Sequence, residues 1–262
     1  WRETVRAGYE SAERMAMDAT AVTSVATAFG YSDAELADAP ATANLGLQCG
    51  NPLALASLRA GEVVLDLGSG GGLDVFLASK RVGTTGLAIG VDMTPSMVSR
   101  ARAAARRGQY HNVSLRLGEL EHLPVADSSV DCVISNCVLN LVHDKPQALR
   151  EVARVLKPGG RVAISDVALK VDQLPRALRD NNTALVGCVA GAVPIATYER
   201  QLADAGFADV TVVDSKQDLN VWRANGGGGG GGGARNDAET DDDGRERCNR
   251  RRRERRRPQW WW

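Results

Sequence analysis

The sequence feature that most constrains the fold is a glycine-rich turn after a short apolar run, in the stretch EVVLDLGSGGGLD at 62–74. The apolar residues are typical of a buried parallel strand, and a helix-like pattern resumes after the turn. Glycine has no Cβ atom, so its backbone can take positive φ and approach a ligand closely. The stretch therefore predicts a strand, a ligand-binding turn and the N-terminus of a helix.

The spacing of the glycines narrows the class of ligand. The dinucleotide fingerprint G-x-G-x-x-G fails, because Leu73 stands where a small third residue is needed. A G-x-G-x-G pattern holds instead through Gly68, Gly70 and Gly72, with Asp66 two positions before the first glycine. Such a turn could also close a strand for packing reasons alone.

A second acidic residue supports a nucleoside ligand. The next predicted strand, 87–91, ends in Asp92, which lies 20 residues beyond Gly72. A carboxylate there can accept hydrogen bonds from both ribose hydroxyls. The two features together predict a nucleoside-bearing ligand.

The chain around this turn alternates between strand and helix patterns. Strands are predicted at 63–67, 87–91, 113–117, 130–136 and 161–167, and helices at about 73–80, 95–107 and 145–156. Right-handed crossovers make this a Rossmann-like α/β fold with a doubly wound, mostly parallel sheet. Ligands bind such sheets at the carboxyl ends of the strands, where Asp66, Asp92, Glu119 and Asn136 fall.

Helical patterns come before this core, and a low-complexity tail comes after it. One or two helices are predicted within 3–29, a capping-box helix after Ser32, and a helix that Asn51 caps. Beyond the core we expect a helical stretch that carries Cys188, a helix at 196–205 and a strand at 208–214. Eight glycines at 226–233 predict a linker before a disordered, charged tail. The predicted parts are an N-terminal helical segment (1–60), the core (61–170), a C-terminal part of the fold (171–220), and the linker with its tail (221–262).

Charge and composition argue against several functions. Lys plus Arg and Asp plus Glu are equal, at 32 each, and the tail 234–262 holds 10 Arg and 7 acids. The body is therefore mildly acidic and offers no basic face for nucleic acid. No apolar run reaches the roughly 18 residues of a membrane span. Five cysteines without scaffold spacing predict free thiols in a reducing compartment.

Six stretches of the sequence resemble the arsenite S-adenosylmethionine methyltransferases, over about residues 28–215. They are NLGLQCGNP (44–52), LDLGSGGGLD (65–74), GVDMTP (90–95), RLGELEHLPVADSSVD (116–131), ISNCVLNL (134–141) and RVLKPGGRVAISDV (154–167). The glycine turn and LKPGG occur in many small-molecule methyltransferases, whereas NLGLQCGNP and ISNCVLNL are more particular to this family.

The resemblance implies S-adenosylmethionine as the cofactor. The predicted cofactor-binding residues are Asp66, Gly68, Gly70, Gly72, Asp92, Met93, Glu119, Leu120 and Asn136. Met93 would lie against the adenine face and Glu119 near the adenine amino group. Each also has an ordinary alternative, since Met93 could fill the core and Glu119 could be a solvated acid at a strand end.

The resemblance also implies an arsenic site. In that family three cysteine thiolates hold trivalent arsenic beside the methyl donor, and the matching positions are Cys49, Cys137 and Cys188. Thiolates suit a soft centre such as arsenic, which would attack the sulfonium methyl in line. A buried cysteine more commonly packs as a small apolar residue, which is the alternative for each. We interpret Cys132 as core, and Cys248 has no predicted role.

Further expectations follow from the family. They are a role in arsenic detoxification, a thiol reductant of the glutathione or thioredoxin type, a monomer and a cytoplasmic location. The family commonly has another cysteine, thought to take part in thiol exchange, upstream of NLGL, and residues 1–48 contain none. His143 could be offered as a base, but arsenic has no proton to lose, so we interpret it as a helix-start residue beside Asp144.

Two other functions stay open on the sequence alone. A methyltransferase for a carbon or oxygen centre, such as a quinone or sterol precursor, would use the same turn without needing Cys49 or Cys188. A non-catalytic thiol protein that sequesters trivalent arsenic would not bind S-adenosylmethionine. A nucleic-acid role would require salt-sensitive binding that depends on the tail.

Overall fold

The core of the fold is a five-stranded parallel sheet. A computed structural model describes residues 1–14, 18–221 and 260–261 of the protein. The strands are β1 (Val63–Leu67), β2 (Leu87–Asp92), β3 (Val113–Leu117), β4 (Val130–Asn136) and β5 (Leu156–Ser165). They are arranged in the order β3-β2-β1-β4-β5, with every pair parallel. The predicted Rossmann-like, doubly wound sheet is confirmed.

Helices precede, connect and follow these strands. They are α1 (Arg2–Arg14), α2 (Ala19–Ala28), α3 (Asp33–Asp38), α4 (Pro52–Ala56), α5 (Leu73–Val82), α6 (Pro95–Arg107), α7 (Lys145–Val155), α8 (Arg176–Arg179), α9 (Asn182–Val186) and α10 (Ile195–Asp204). Short 3-10 turns lie at Ala41–Ala43 and Leu139–Leu141. No helix within the described ranges is long and apolar enough to cross a membrane.

Both faces of the sheet are covered, because side chains on a strand alternate between the faces. Val64 and Ile134 belong to a buried cluster that includes residues of α5 and α6. The neighbouring residues Leu65 and Val133 belong to a second cluster, with residues of α7 and α10. This arrangement explains why the strands are apolar on both faces.

The strand register places the predicted polar residues along one edge. Asp66 of β1 is paired with Gly90 of β2 and with Ile134 of β4. Asp92 and Asn136 each lie two residues further along their strands, beyond these pairs. The carboxyl ends of the three central strands therefore meet at the edge where the chain turns through its glycines.

The predicted caps before the core are confirmed. Ser32 and Glu35 form a reciprocal capping box at the start of α3. The side chain of Asn51 accepts a hydrogen bond from Ala54 N, and Pro52 occupies the first turn of α4. These caps satisfy backbone N–H groups that a helix start would otherwise leave without partners.

Two predicted strands differ in the structure. β5 begins at Leu156 rather than at 161 and ends at Ser165, so the residues after 165 lie beyond the sheet edge. The strand predicted at 208–214 is wrong, because this segment has no regular secondary structure. Val210 and Val212 are exposed there, so their alternation with polar residues buries no face.

The region around Cys188 is less helical than predicted. It contains the short helices α8 and α9, and Cys188 lies in the turn after α9. The predicted linker and tail, 221–262, lie outside the described residues except for Val221 and a two-residue strand, β7 (Trp260–Trp261). This strand pairs antiparallel with β6 (Ala168–Leu169).

Truncation of a central strand residue tests the core. Leu65 is fully buried in β1, whereas Leu117, at the end of edge strand β3, is about half exposed. We expect Leu65→Ala to lower the free energy of unfolding by about 2–5 kcal/mol and Leu117→Ala by less than about 0.5 kcal/mol. Urea unfolding measures both values, and equal losses would contradict this packing.

Candidate active site

A cleft of about 1120 Å³, including its open mouth, lies at the carboxyl edge of the sheet. It is lined by most of the predicted cofactor residues, namely Asp66, Gly68, Gly70, Asp92, Met93, Glu119, Leu120 and Asn136. Gly72 is the exception, because it caps α5 and faces Phe76. A deep cleft at this edge is where an open α/β sheet binds its ligand.

The glycine turn is held open by a hydrogen bond to the next strand. Gly70 has a φ of +49°, and a Cβ atom placed there would meet no atom within 4 Å. The Gly70 N–H donates to Asp92 Oδ2 at 2.9 Å. The backbone of Gly70 therefore borders open space in the cleft, which fits the close approach of a nucleoside ligand.

Three buried carboxyl groups surround this turn. Burial, together with Asp74 and Asp92, raises the pKa of Asp66 well above its usual value. Burial raises the pKa of Asp74 to about 6, despite hydrogen bonds from Tyr31 and Asn136 that favour its ionised form. The pKa of Asp92 is also raised by burial. A cationic ligand in the cleft would favour the ionised forms.

The carboxamide of Asn136 connects the cofactor turn with the cysteine-bearing loop. Its Nδ2 lies 3.2 Å from Asp74 Oδ2, 2.9 Å from Tyr31 Oη and 2.8 Å from Gly50 O. Its Oδ1 accepts a hydrogen bond of 3.2 Å from Cys49 N. One half-buried side chain therefore fixes the loop that carries Cys49 against the first turn of α5.

The three predicted arsenic ligands lie in one buried apolar cluster. Cys49 and Cys137 form a disulfide with a Cα–Cα distance of 5.7 Å. The expectation of free thiols is therefore wrong for this pair in the structure. The Cys188 thiol is free and donates to the Cys137 carbonyl oxygen at 2.7 Å. Cys132 is fully buried in β4, as predicted for a core residue.

Local backbone geometry brings these cysteines together. A Cβ atom on Gly50 would lie 2.6 Å from Ser165 Cβ, so the loop after Cys49 packs directly on the end of β5. Cys137 and Cys188 have positive φ values of +60° and +61°. Non-glycine residues with positive φ are uncommon and cluster at functional sites. Of the three cysteines, Cys137 contributes to the lining of the cleft.

Helix α1 covers part of the cleft, which the sequence did not predict. Arg2 forms an ion pair of 3.1 Å with Glu119. Further along the helix, Tyr9 Oη donates to Val186 O at 3.3 Å and lies 3.9 Å from Cys188 Sγ. The helix therefore contacts both the predicted cofactor residues and the cysteine cluster.

Comparison with known proteins defines the class. A family model described as a methyltransferase domain matches residues 58–227. A crystal structure of CrArsM, an arsenic(III) S-adenosylmethionine methyltransferase from Chlamydomonas reinhardtii, superposes with a TM-score of 0.58. It is 33% identical, and the match covers 78% of this chain and 69% of that one. The fold is that of a methyltransferase, in the class that uses S-adenosylmethionine as its methyl donor.

The curated relatives identify the family within this class. The arsenite methyltransferase of Halobacterium salinarum is 47% identical over 199 residues, which is 75% of this chain and 51% of that protein. The chain belongs to the arsenite methyltransferase family. It spans about half the length of the curated relatives that it matches first. A ubiquinone/menaquinone biosynthesis C-methyltransferase from Haemophilus ducreyi is 39% identical over a shorter 110 residues.

The raised pKa of Asp74 predicts a pH-dependent affinity for the cofactor. Its carboxyl group contributes stability below its ordinary pKa of 3.8 and loses that contribution as pH rises through about 6. Because S-adenosylmethionine is cationic at its sulfonium and amino groups, it should bind the ionised form better. We expect calorimetry to show an affinity about tenfold higher at pH 7 than at pH 5.

Asp74→Asn should remove most of this pH dependence, and any remainder would belong to Asp66 and Asp92, whose pKa values are also raised. Asp127→Asn is the control, because its side chain is three-quarters exposed. An affinity that does not change with pH in the unmodified protein would contradict this electrostatic account.

Gly70→Ala tests the close approach of ligand and backbone. Its methyl group would enter the cleft, so we expect the affinity for S-adenosylmethionine to fall at least about tenfold. Gly83→Ala is the control, since Gly83 also has positive φ and open space, at the other end of α5. It should lose more stability than Gly70→Ala, which we expect to lose about 1 kcal/mol, because the φ of +69° and ψ of −174° at Gly83 are open essentially to glycine alone. Equal cofactor affinity in the two variants would show that the Gly70 backbone does not border the ligand.

Proposed function

We propose that this protein transfers the methyl group of S-adenosylmethionine to trivalent arsenic held by Cys49, Cys137 and Cys188. The observation that carries the proposal is the burial of all three cysteines in one apolar cluster, of which Cys137 also borders the cofactor cleft. A soft, thiophilic centre prefers this ligand set over oxygen donors. Arsenic detoxification in a reducing cytoplasm is the biological role that we propose with it.

The described residues fit the cofactor. When bound, S-adenosylmethionine supplies a methyl group on a positively charged sulfur. Asp92 lines the cleft and would accept hydrogen bonds from the ribose hydroxyls, and the open backbone of Gly70 would admit a close ligand. The buried carboxyl groups of Asp66 and Asp74 offer negative charge for the cationic groups. Met93 and Leu120 supply apolar surface for the adenine.

Arsenic loading requires the reduced cysteines. A thiol reductant of the glutathione or thioredoxin type would give two electrons and two protons to the Cys49–Cys137 disulfide, which leaves two thiols. Three thiols then exchange with arsenous acid, and each sulfur–arsenic bond that forms releases one water molecule. Burial raises the pKa of the Cys188 thiol, so we expect its proton to leave only as the arsenic bond forms.

The relative positions of arsenic and the methyl donor account for the methyl transfer itself. Three thiolates arranged as a pyramid leave the arsenic lone pair free to attack a methyl group in line. The arsenic–carbon bond would form as the sulfur–carbon bond of the donor breaks, S-adenosylhomocysteine would leave with that electron pair, and the thiol reductant would supply the two electrons that return the methylated arsenic to the trivalent state. Holding two reactants in this near-attack geometry can lower a barrier by about 7–11 kcal/mol. No general base is needed, because the nucleophile has no proton to lose. The apolar side chains around the cysteines exclude water from the reacting atoms.

A second candidate is methyl transfer to a carbon centre, which the similarity to a quinone-pathway methyltransferase favours. That similarity covers 42% of this chain, whereas the arsenite methyltransferase similarity covers 75%. The carbon reaction uses the same cofactor cleft but gives no role to Cys49 or Cys188. Cysteine variants therefore distinguish the two functions.

We expect Cys49→Ser and Cys188→Ser to lose arsenite methylation by at least about a hundredfold, because a hydroxyl is a poor ligand for arsenic. Cofactor affinity should change by less than about threefold. Speciation of the arsenic products after incubation with arsenite, a thiol and S-adenosylmethionine measures the first effect, and calorimetry measures the second.

Cys132→Ala is the matched control, since this buried cysteine lies in β4 away from the cluster, and it should keep activity. Full activity of both serine variants would contradict an arsenic site. An absence of cofactor binding by the unmodified protein would favour a thiol protein that only sequesters arsenic.

A further inference from the structure

One carboxyl group beside the cysteine cluster has no role in the proposed methyl transfer. Asp166 follows β5 directly, so the end of that strand brings it to the same sheet edge as Cys137. Its carboxylate accepts hydrogen bonds from the backbone of Leu139, from Asn140 N at 3.2 Å and from Val167 N at 2.9 Å. These bonds fix the orientation of the carboxylate and leave lone pairs for another partner.

The carboxylate lies close to two sulfur atoms. A carboxylate oxygen of Asp166 and the Sγ atoms of Cys49 and Cys137 all lie within 4.8 Å of one another. Within the described residues, these three atoms form the group that lies close enough together to hold one metal ion. Cys188 does not belong to that group. The set therefore differs by one member from the three cysteines proposed for arsenic.

Once the disulfide is reduced, its two sulfur atoms are free to separate to the spacing that a small divalent cation requires. Metal–sulfur bonds of about 2.3 Å at tetrahedral angles place two sulfurs about 3.8 Å apart, and carboxylate bonds are about 2.0–2.2 Å. Two thiolates and one carboxylate form a mixed set that suits zinc or cadmium, with water able to complete the tetrahedron. Trivalent arsenic binds a carboxylate more weakly than a thiolate, because it prefers sulfur over oxygen.

We propose that the reduced protein has a second metal-binding mode, in which Cys49, Cys137 and Asp166 hold one thiophilic divalent cation, Zn²⁺ or Cd²⁺. This inference goes beyond the proposed function but shares two of its thiols. Reduction of the disulfide takes two electrons and two protons from a thiol or phosphine reductant. Binding of the cation then releases the two thiol protons, and the carboxylate contributes its existing charge.

The shared thiols make the two modes mutually exclusive. A cation on Cys49 and Cys137 leaves arsenic without two of its three ligands. Zn²⁺ or Cd²⁺ should therefore inhibit in competition with arsenite, and S-adenosylmethionine should not relieve the inhibition. Asp166 would determine the affinity for the divalent cation, whereas Cys188 would determine the affinity for arsenic.

The test measures Cd²⁺ and arsenite binding to the full chain, reduced with a phosphine that is then removed. Competition with a chromophoric chelator gives the Cd²⁺ affinity, and ultraviolet absorbance follows the thiolate bonds to each ion. Asp166→Asn should weaken Cd²⁺ binding at least about tenfold and change arsenite binding less than about threefold. Asp172→Asn, at an exposed position, is the control for the lost charge and should change neither.

Cys188→Ser should give the reverse pattern, with arsenite binding lost and Cd²⁺ binding kept. The inference is overturned if Asp166→Asn leaves the Cd²⁺ affinity unchanged, or if Cys188→Ser weakens Cd²⁺ binding as much as arsenite binding. Unchanged arsenite binding in Cys188→Ser would instead count against the proposed function, so the two failures are distinguishable.

A variant could also lose metal binding because it fails to fold, and loss of cofactor binding would reveal that failure. A measurement on the protein without substitutions avoids this problem. X-ray absorption at the cadmium edge of the unmodified, reduced protein counts the ligand atoms directly. Two sulfur neighbours with oxygen in the remaining positions support the inference. Three sulfur neighbours overturn it.

Discussion

The structure of the site depends on one half-buried carboxamide. Asn136 ends β4, beside the central strand β1, and its side chain contacts helix α5 through Asp74 and the loop that carries Cys49 through Cys49 and Gly50. Its donor and acceptor atoms all have partners, which an amide shielded from water requires if it is not to cost folding free energy. The next residue is Cys137, so the same strand end positions a sulfur atom beside the cleft. The glycine turn and the cysteine-bearing loop are therefore parts of one hydrogen-bonded unit.

Opposite environments lie on the two sides of this carboxamide. The cofactor side holds buried carboxyl groups, whose pKa values rise because burial opposes their charge. The cysteine side is apolar, with Val5, Leu141 and Val167 around the sulfurs. A cationic methyl donor suits the first environment, and a neutral arsenic–thiolate complex suits the second. Methyl transfer at their boundary would move the positive charge of the sulfonium onto arsenic.

The sequence was sufficient to predict the parts that depend on local pattern. The strand–turn–helix unit at Gly68–Gly72, the capping box at Ser32 and the parallel sheet all follow from spacing and hydrophobic period. The strand expected at 208–214 failed because alternating valines indicate a strand only when another strand and a buried face are available. The start of β5 was placed too late because Lys157, Pro158 and the glycines after it are weak strand formers.

Side-chain contacts between distant segments could not be predicted. The disulfide between Cys49 and Cys137 joins residues 88 positions apart, and no local pattern encodes that pairing. Helix α1 over the cleft was missed for the same reason, because its apolar face has no sequence signal for its partner. Asp166 could have been predicted as a site residue, because it directly follows a strand, just as Asp92 is the last residue of one. The late end predicted for β5 placed it inside the sheet instead.

The most direct test of the account is the position of arsenic itself. Anomalous X-ray scattering at the arsenic edge, from crystals of the reduced protein with arsenite and S-adenosylhomocysteine, locates that atom among its ligands. The account predicts one arsenic peak bonded to the sulfur atoms of Cys49, Cys137 and Cys188, facing the cofactor sulfur across the space for a methyl group. Arsenic bound at any other cysteines, or at these three but turned away from the cofactor, would contradict it.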